Sequence, residues 1–109
     1  MKVGAYDLHP IETGRFGLDG GAMFGIIPRP LWERSNPADA RNRIELAARA
    51  LLIRGNGRTI LVDDGNGPKF TDKQVDIYRL DMSRHELVAS LAAHGVTPAD
   101  VTDVLLTHL

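Results

Sequence analysis

The chain has 109 residues, 43% of them hydrophobic and 25% charged, with a formal net charge of -1. That length is one domain or part of one, and the near-neutral balance leaves no basic footprint for nucleic acid. The absence of cysteine excludes disulfides and thiolate metal sites, and no run of about 18 apolar residues is present to span a membrane.

The start, Met1-Lys2-Val3-Gly4-Ala5-Tyr6-Asp7, lacks the apolar stretch of a secretory signal, so a cytoplasmic location is expected. Residues 2–9 read as a first strand that Pro10 interrupts, and a second extended stretch covers Thr13 to Leu18. Glycines then crowd in at Gly14, Gly17, Gly20, Gly21 and Gly25, which makes residues 18–28 a glycine-punctuated loop. It is not a phosphate loop, because no Gly-Lys-Ser/Thr follows and no helix is expected to open after the glycines. Pro28, Pro30 and Pro37 keep the next part irregular, since proline has no N–H for a ladder, and Trp32 is expected to plug this loop onto a core.

The clearest local signal is a hairpin. Residues 44–54 and 59–63 are apolar-rich strands separated by Gly55-Asn56-Gly57-Arg58, and Asn-Gly tolerates the positive φ angles of a tight turn. Residues 65–81, with Gly65, Gly67, Pro68 and several charges, read as a long loop. Ser83 and Glu86 then form a capping box, in which each side chain satisfies a free backbone N–H of a helix's first turn. Leu87, Val88, Leu91 and Ala92 share one face of that helix, and Gly95 stops it. Thr97-Pro98 opens a short helical turn, and residues 101–106 form a closing strand that reads as buried. The order predicts a mixed α/β fold. An apolar run at the very end of the chain is unlike the polar, frayed tail of most domains, so a truncated domain is expected.

His108 follows this apolar strand, at the kind of strand end where layered α/β folds place their sites. A neutral imidazole there suits zinc, but one histidine is one ligand where zinc takes three or four, and taken alone it reads as a structural or surface residue. Asp63 and Asp64 end the strand before the long loop, and only one of the two can face a given site because side chains alternate. Such an acid either orients a metal-ligating histidine or belongs to an ordinary acidic turn. His85 and His94 lie half a turn out of phase on their helix and cannot chelate one ion; His9 stands alone before a proline. Arg41, Arg43, Arg49 and Arg54 read as a solvated face.

Several of these segments together resemble a known family. Thr-Asp-Val-Leu-Leu-Thr-His-Leu at residues 102–109 is similar to the strand that leads into the H-x-H-x-D-H signature of metallo-β-lactamase-fold hydrolases, with His108 matching the first histidine. Thr59-Ile-Leu-Val-Asp63-Asp-Gly65 resembles the family's strand ending in Asp-Thr-Gly, with a charge at Asp64 in place of the hydroxyl. Residues 18–32, with the phrase Leu18-Asp-Gly-Gly-Ala-Met-Phe-Gly25 followed by Pro30-Leu-Trp32, are similar to the quorum-quenching N-acyl-homoserine lactonase-like branch. The resemblance implies the N-terminal half of an αβ/βα sandwich, cut where the metal motif begins. It implies His108 as a metal ligand, Asp63 as a supporting acid, and Met23 and Phe24 at a substrate entrance. The implied parent uses two zinc ions to hydrolyse ester or lactone bonds of a small molecule, and the fragment alone is inactive. With its partner sheet missing, the fragment is expected to leave an apolar face uncovered. The alternative is a small non-catalytic α/β binding module.

Overall fold

The computed structural model describes residues 1–81, 83 and 87–108. In chain order the elements are β1 (Lys2–Val3), β2 (Tyr6–Asp19), α1 (Gly20–Phe24), α2 (Arg29–Trp32), β3 (Arg43–Gly55), β4 (Arg58–Val62), α3 (Asp72–Tyr78), α4 (Leu87–Ala92), a 3-10 turn at Pro98–Asp100, and β5 (Asp103–Leu105). The strands form one sheet in the order β1-β2-β3-β4-β5, and the mixed α/β class read from the sequence is what the structure shows. The chain divides into two compact units, to both of which β2 and β3 contribute residues.

The first unit comprises Met1–Gly14, Ala48–Pro68 and Met82–Leu109. Its hairpin forms as expected: Asn56 and Gly57 take φ of 50° and 72°, and β3 pairs with β4 from Gly55↔Arg58 to Leu51↔Val62. β5 runs parallel to β4, with Ile60↔Asp103, Leu61↔Val104 and Val62↔Leu105 in register. Alternation along the strands sends Ile11, Ala50, Leu52 and Leu61 to one face, where Leu91 of α4 and Val96 close a buried core with Leu87 and Val101 against it. Each fully buried Ile, Leu or Val among them contributes on the order of 2 kcal/mol by leaving water. Leu51, Ile53, Ile60 and Val62 take the other face, only half-buried, and Leu105 beside them is 56% exposed.

Four details of this unit differ from the expectation. Pro10 does not break the first strand; β2 runs through it from Tyr6. Leu8 N–H donates to the Met1 carbonyl, so Pro10, two residues on, faces the same side, where β1 has already ended opposite Asp7 and no ladder bond is lost. On α4 only Leu87 and Leu91 turn inward, while Val88 is 54% exposed and Ala92 is exposed. Asp63 leaves the ladder of β4 with φ 58°. β5 is an edge strand, with Val104, Leu105 and Leu106 all more than half exposed rather than buried. The Glu86 half of the expected capping box, with His85 and Leu109, lies outside the described residues. The 3-10 turn opens on Thr97 as expected, Asp100 accepting its N–H and hydroxyl.

The second unit is Arg15–Ala47 with Lys69–Asp81. Here a helix does open after the glycines: Asp19 caps α1 by accepting the Ala22 N–H at 2.8 Å. Trp32 is 4% exposed, as expected of a plug, and its ring lies so close to Gly20 that any Cβ there would overlap it. Within residues 65–81, read as a loop, Thr71 and Gln74 form a reciprocal capping box that starts α3. Asp39 organises the turn before β3. It accepts from the Arg43 and Arg41 backbone N–H groups, from Arg43 Nε at 2.8 Å and from Arg79 Nη1 at 3.3 Å. The Arg43 N–H is the first cause that holds its carboxyl down at about 2.

Because that pKa is depressed, the contribution of Asp39 is fully present above the usual aspartate range near pH 4 and fades as pH falls toward about 2. Acid unfolding followed by circular dichroism is expected to show a stability decrease across that window that Asp39→Asn removes. Gly65 and Gly57 separate two backbone effects. Both have φ near 70°, but a Cβ at Gly65 would overlap the buried Thr13 side chain, whereas at Gly57 it meets nothing within 4 Å. In denaturant titrations Gly57→Ala should cost about 1 kcal/mol and Gly65→Ala about 2–4 kcal/mol.

Candidate metal centre

The ends of β4 and β5 are held together by one carboxylate. Asp63 donates its backbone N–H to the Leu105 carbonyl at 2.8 Å, which places its side chain under the turn that follows β5. There Oδ1 accepts the Thr107 N–H at 2.9 Å and Oδ2 accepts the Thr107 hydroxyl at 2.7 Å. These bonds, the backbone one first, hold the Asp63 carboxyl below the ordinary aspartate value. The positive φ at Asp63 is one that aspartate tolerates better than most residues.

Thr107 Oγ1 also lies 2.8 Å from His108 Nδ1. A hydroxyl has one proton, and an ionised carboxylate only accepts, so that proton goes to Asp63. Thr107 Oγ1 therefore accepts from His108, which puts the imidazole proton on Nδ1. In the neutral ring Nε2 is then left as a bare lone pair. His108 is exposed, so Nε2 faces solvent. Both oxygens of Asp63 are engaged by Thr107, which in turn contacts the His108 ring. The structure thus brings together two of the residues read from the sequence, through a threonine that the sequence reading passed over. Its only signal was a hydroxyl directly before a histidine at a strand end.

Met23 and Phe24 belong to α1 of the second unit. Phe24 stacks on Trp32 with centroids 5.0 Å apart, and Met23 is 47% exposed. Among the described residues no group of three or more His, Asp or Glu converges on a point that would hold a metal ion. The donor set fits an imidazole-preferring ion to the extent of one nitrogen, from His108.

Residues 43–109, which include β3, β4, β5 and the Asp63–Thr107–His108 array, match the metallo-beta-lactamase superfamily. The chain belongs to that superfamily. It aligns over 99% of its residues with a "probable metal-dependent hydrolase" from Staphylococcus aureus, at 37% identity and a TM-score of 0.87. It aligns over 100% of its length with the hydrolase AbOPH of the beta-lactamase superfamily, at 21% identity and a TM-score of 0.69, a likeness of fold alone. The chain spans 39% and 35% of these two proteins' lengths. No curated protein matches it. The fold is therefore that of an N-terminal portion of a metallo-beta-lactamase domain.

The Thr107 relay makes a spectroscopic prediction. Nitrogen-15 shifts of the neutral His108 ring should show the Nδ1–H tautomer. Thr107→Val, which keeps the shape and removes the hydroxyl, should return the ring to the Nε2–H form that predominates in free imidazole side chains. An unchanged ring would mean that the relay does not set the tautomer.

Proposed function

We propose that this chain is the N-terminal part of a metal-dependent hydrolase in which His108 is the first protein ligand of a two-zinc site. The observation that carries the reading is the Asp63–Thr107–His108 array, which fixes an exposed imidazole with its Nε2 lone pair outward. Family membership and the metal-dependent hydrolase in the comparison support it. The remaining ligands come from residues beyond this chain, in line with the share of the longer protein that it spans.

Zinc held there would supply Lewis-acid chemistry, activating water near neutral pH and polarising a carbonyl. This chain's own residues bind and orient. His108 gives one neutral nitrogen, Thr107 fixes its proton on the far side of the ring, and Asp63 holds Thr107 by two bonds so that the imidazole need not reorganise. Met23 and Phe24 line the substrate entrance. The substrate class is a small-molecule ester or lactone of the N-acyl-homoserine lactone type, on the resemblance of residues 18–32 to that branch. The protein acts in the cytoplasm, without a nucleic-acid or membrane partner, and the 109-residue chain by itself is inactive.

The test is made on the complete polypeptide that carries this segment. Chelation should abolish lactone hydrolysis and added zinc should restore it. His108→Ala should lower kcat/KM by more than about 100-fold, and Asp63→Asn by about 10–100-fold, through weakened metal affinity. Turnover of thioester or phosphodiester substrates in preference to lactones moves the substrate class but keeps the hydrolase. Activity indifferent to chelation and to His108→Ala leaves the small non-catalytic α/β module as the reading.

A further inference from the structure

The fold brings together two histidines that the sequence keeps far apart. His9 on β2 and His94, just past α4, have ring centroids 4.8 Å apart and planes tilted by 41°. His9 alternates with Ile11 and Thr13, so it sits on the sheet face that α4 covers, at the margin of the core. Both residues belong to the first unit and are half-buried. Among the described residues no hydrogen bond engages either ring. The ring nitrogens are not among the buried side-chain atoms left without a partner, so solvent, and an ion carried in it, can reach them.

We propose that His9 and His94 form a surface site for a late first-row divalent metal ion, copper above nickel and zinc, separate from the Asp63–Thr107–His108 array. With metal–nitrogen bonds of about 2.1 Å the ion sits about 3.2 Å from each ring centre, so two imidazoles sharing it are about 4.5 Å apart at a right angle and about 5.2 Å at a tetrahedral one. The observed 4.8 Å falls between these values. The ion is held by two protein nitrogens, and water fills its remaining positions. Imidazole nitrogen selects this class over magnesium or calcium, which take oxygen. The charges nearby nearly balance. Arg54 Nη1 donates to the His94 carbonyl at 3.2 Å, and the Asp100 carboxylate feels the Arg54 charge. The carbonyl that Arg54 takes up belongs to the backbone, so the His94 ring remains available. Four residues along β2, or roughly 13 Å, separate His9 from Thr13, the neighbour of Gly65 in the loop after Asp63. The site therefore stands or falls independently of the hydrolase reading.

The experiment is a titration of the 109-residue chain with copper(II) alone, in a non-chelating buffer. One equivalent should bind, and its electron paramagnetic resonance spectrum should show coupling to two imidazole nitrogens. His9→Gln and His94→Gln should each weaken binding at least tenfold, while His108→Ala leaves it unchanged. Should a glutamine variant fail to fold, the wild-type chain still decides: substoichiometric copper must broaden the ring protons of His9 and His94 before those of His85 and His108. Binding that is lost in His108→Ala, or that broadens His9 without His94, overturns the proposal, as does the absence of binding.

Discussion

A single carboxylate, that of Asp63, ties together the ends of two parallel strands. Parallel neighbours cannot be joined by a tight turn, so β4 and β5 meet only because the intervening chain returns to the sheet. At their shared end the ladder stops. Asp63 takes over by bonding the Leu105 carbonyl with its own N–H and Thr107 with both side-chain oxygens. The left-handed backbone at Asp63 carries a local cost that these three bonds offset. His108 inherits its position from this arrangement. Without the carboxylate the Thr107 hydroxyl could either donate to the imidazole or accept from it, and the ring proton would have no fixed place.

The rest of the first unit keeps that corner rigid. Gly65 passes so close to Thr13 that only a residue without a side chain fits, and Thr13 in turn donates its hydroxyl to the Ala48 carbonyl at 2.9 Å. Ser90 Oγ bonds the Glu12 carbonyl at 2.6 Å, and Arg49 is paired with the Glu12 side chain. The loop after β4 is thus packed on a strand whose neighbours are themselves fixed. In the second unit the same economy appears around Asp39, where one carboxylate serves two backbone donors and two guanidinium groups.

Local grammar made most of the fold legible. Asn56-Gly57 announces the hairpin, Gly95 the end of α4, and Thr97-Pro98 the 3-10 turn, because each of these depends on residues adjacent in the chain. The same grammar was overlooked at Thr71 and Gln74, where the glycines and proline just upstream suggested a loop throughout. It was overlooked again at Asp19, whose capping role was masked by the glycines around it. The burial read from the apolar run at residues 101–106 does not hold, because such a run records what a strand is suited to touch, and Val104, Leu105 and Leu106 stand exposed at an edge. As for the site, Asp63 and His108 stood out through family resemblance, since neither is distinctive alone. Thr107's bridging role and the His9–His94 pair were invisible, because both depend on contacts made across the sheet rather than along the chain.

Pro10 has a consequence beyond its tolerance in β2. An open strand edge offers a row of N–H and C=O groups on which another molecule's strand can grow, and long unbroken edges invite self-association. On this side Met1 and β1 cover Tyr6 to Leu8, the Ser90 hydroxyl takes the Glu12 carbonyl, and the next backbone pairing is the Arg15↔Asp81 bridge. Pro10 falls in the gap and withdraws a donor where an incoming strand would need one. The sequence thus carries its own gatekeeper against edge-to-edge stacking along the longest strand of the sheet.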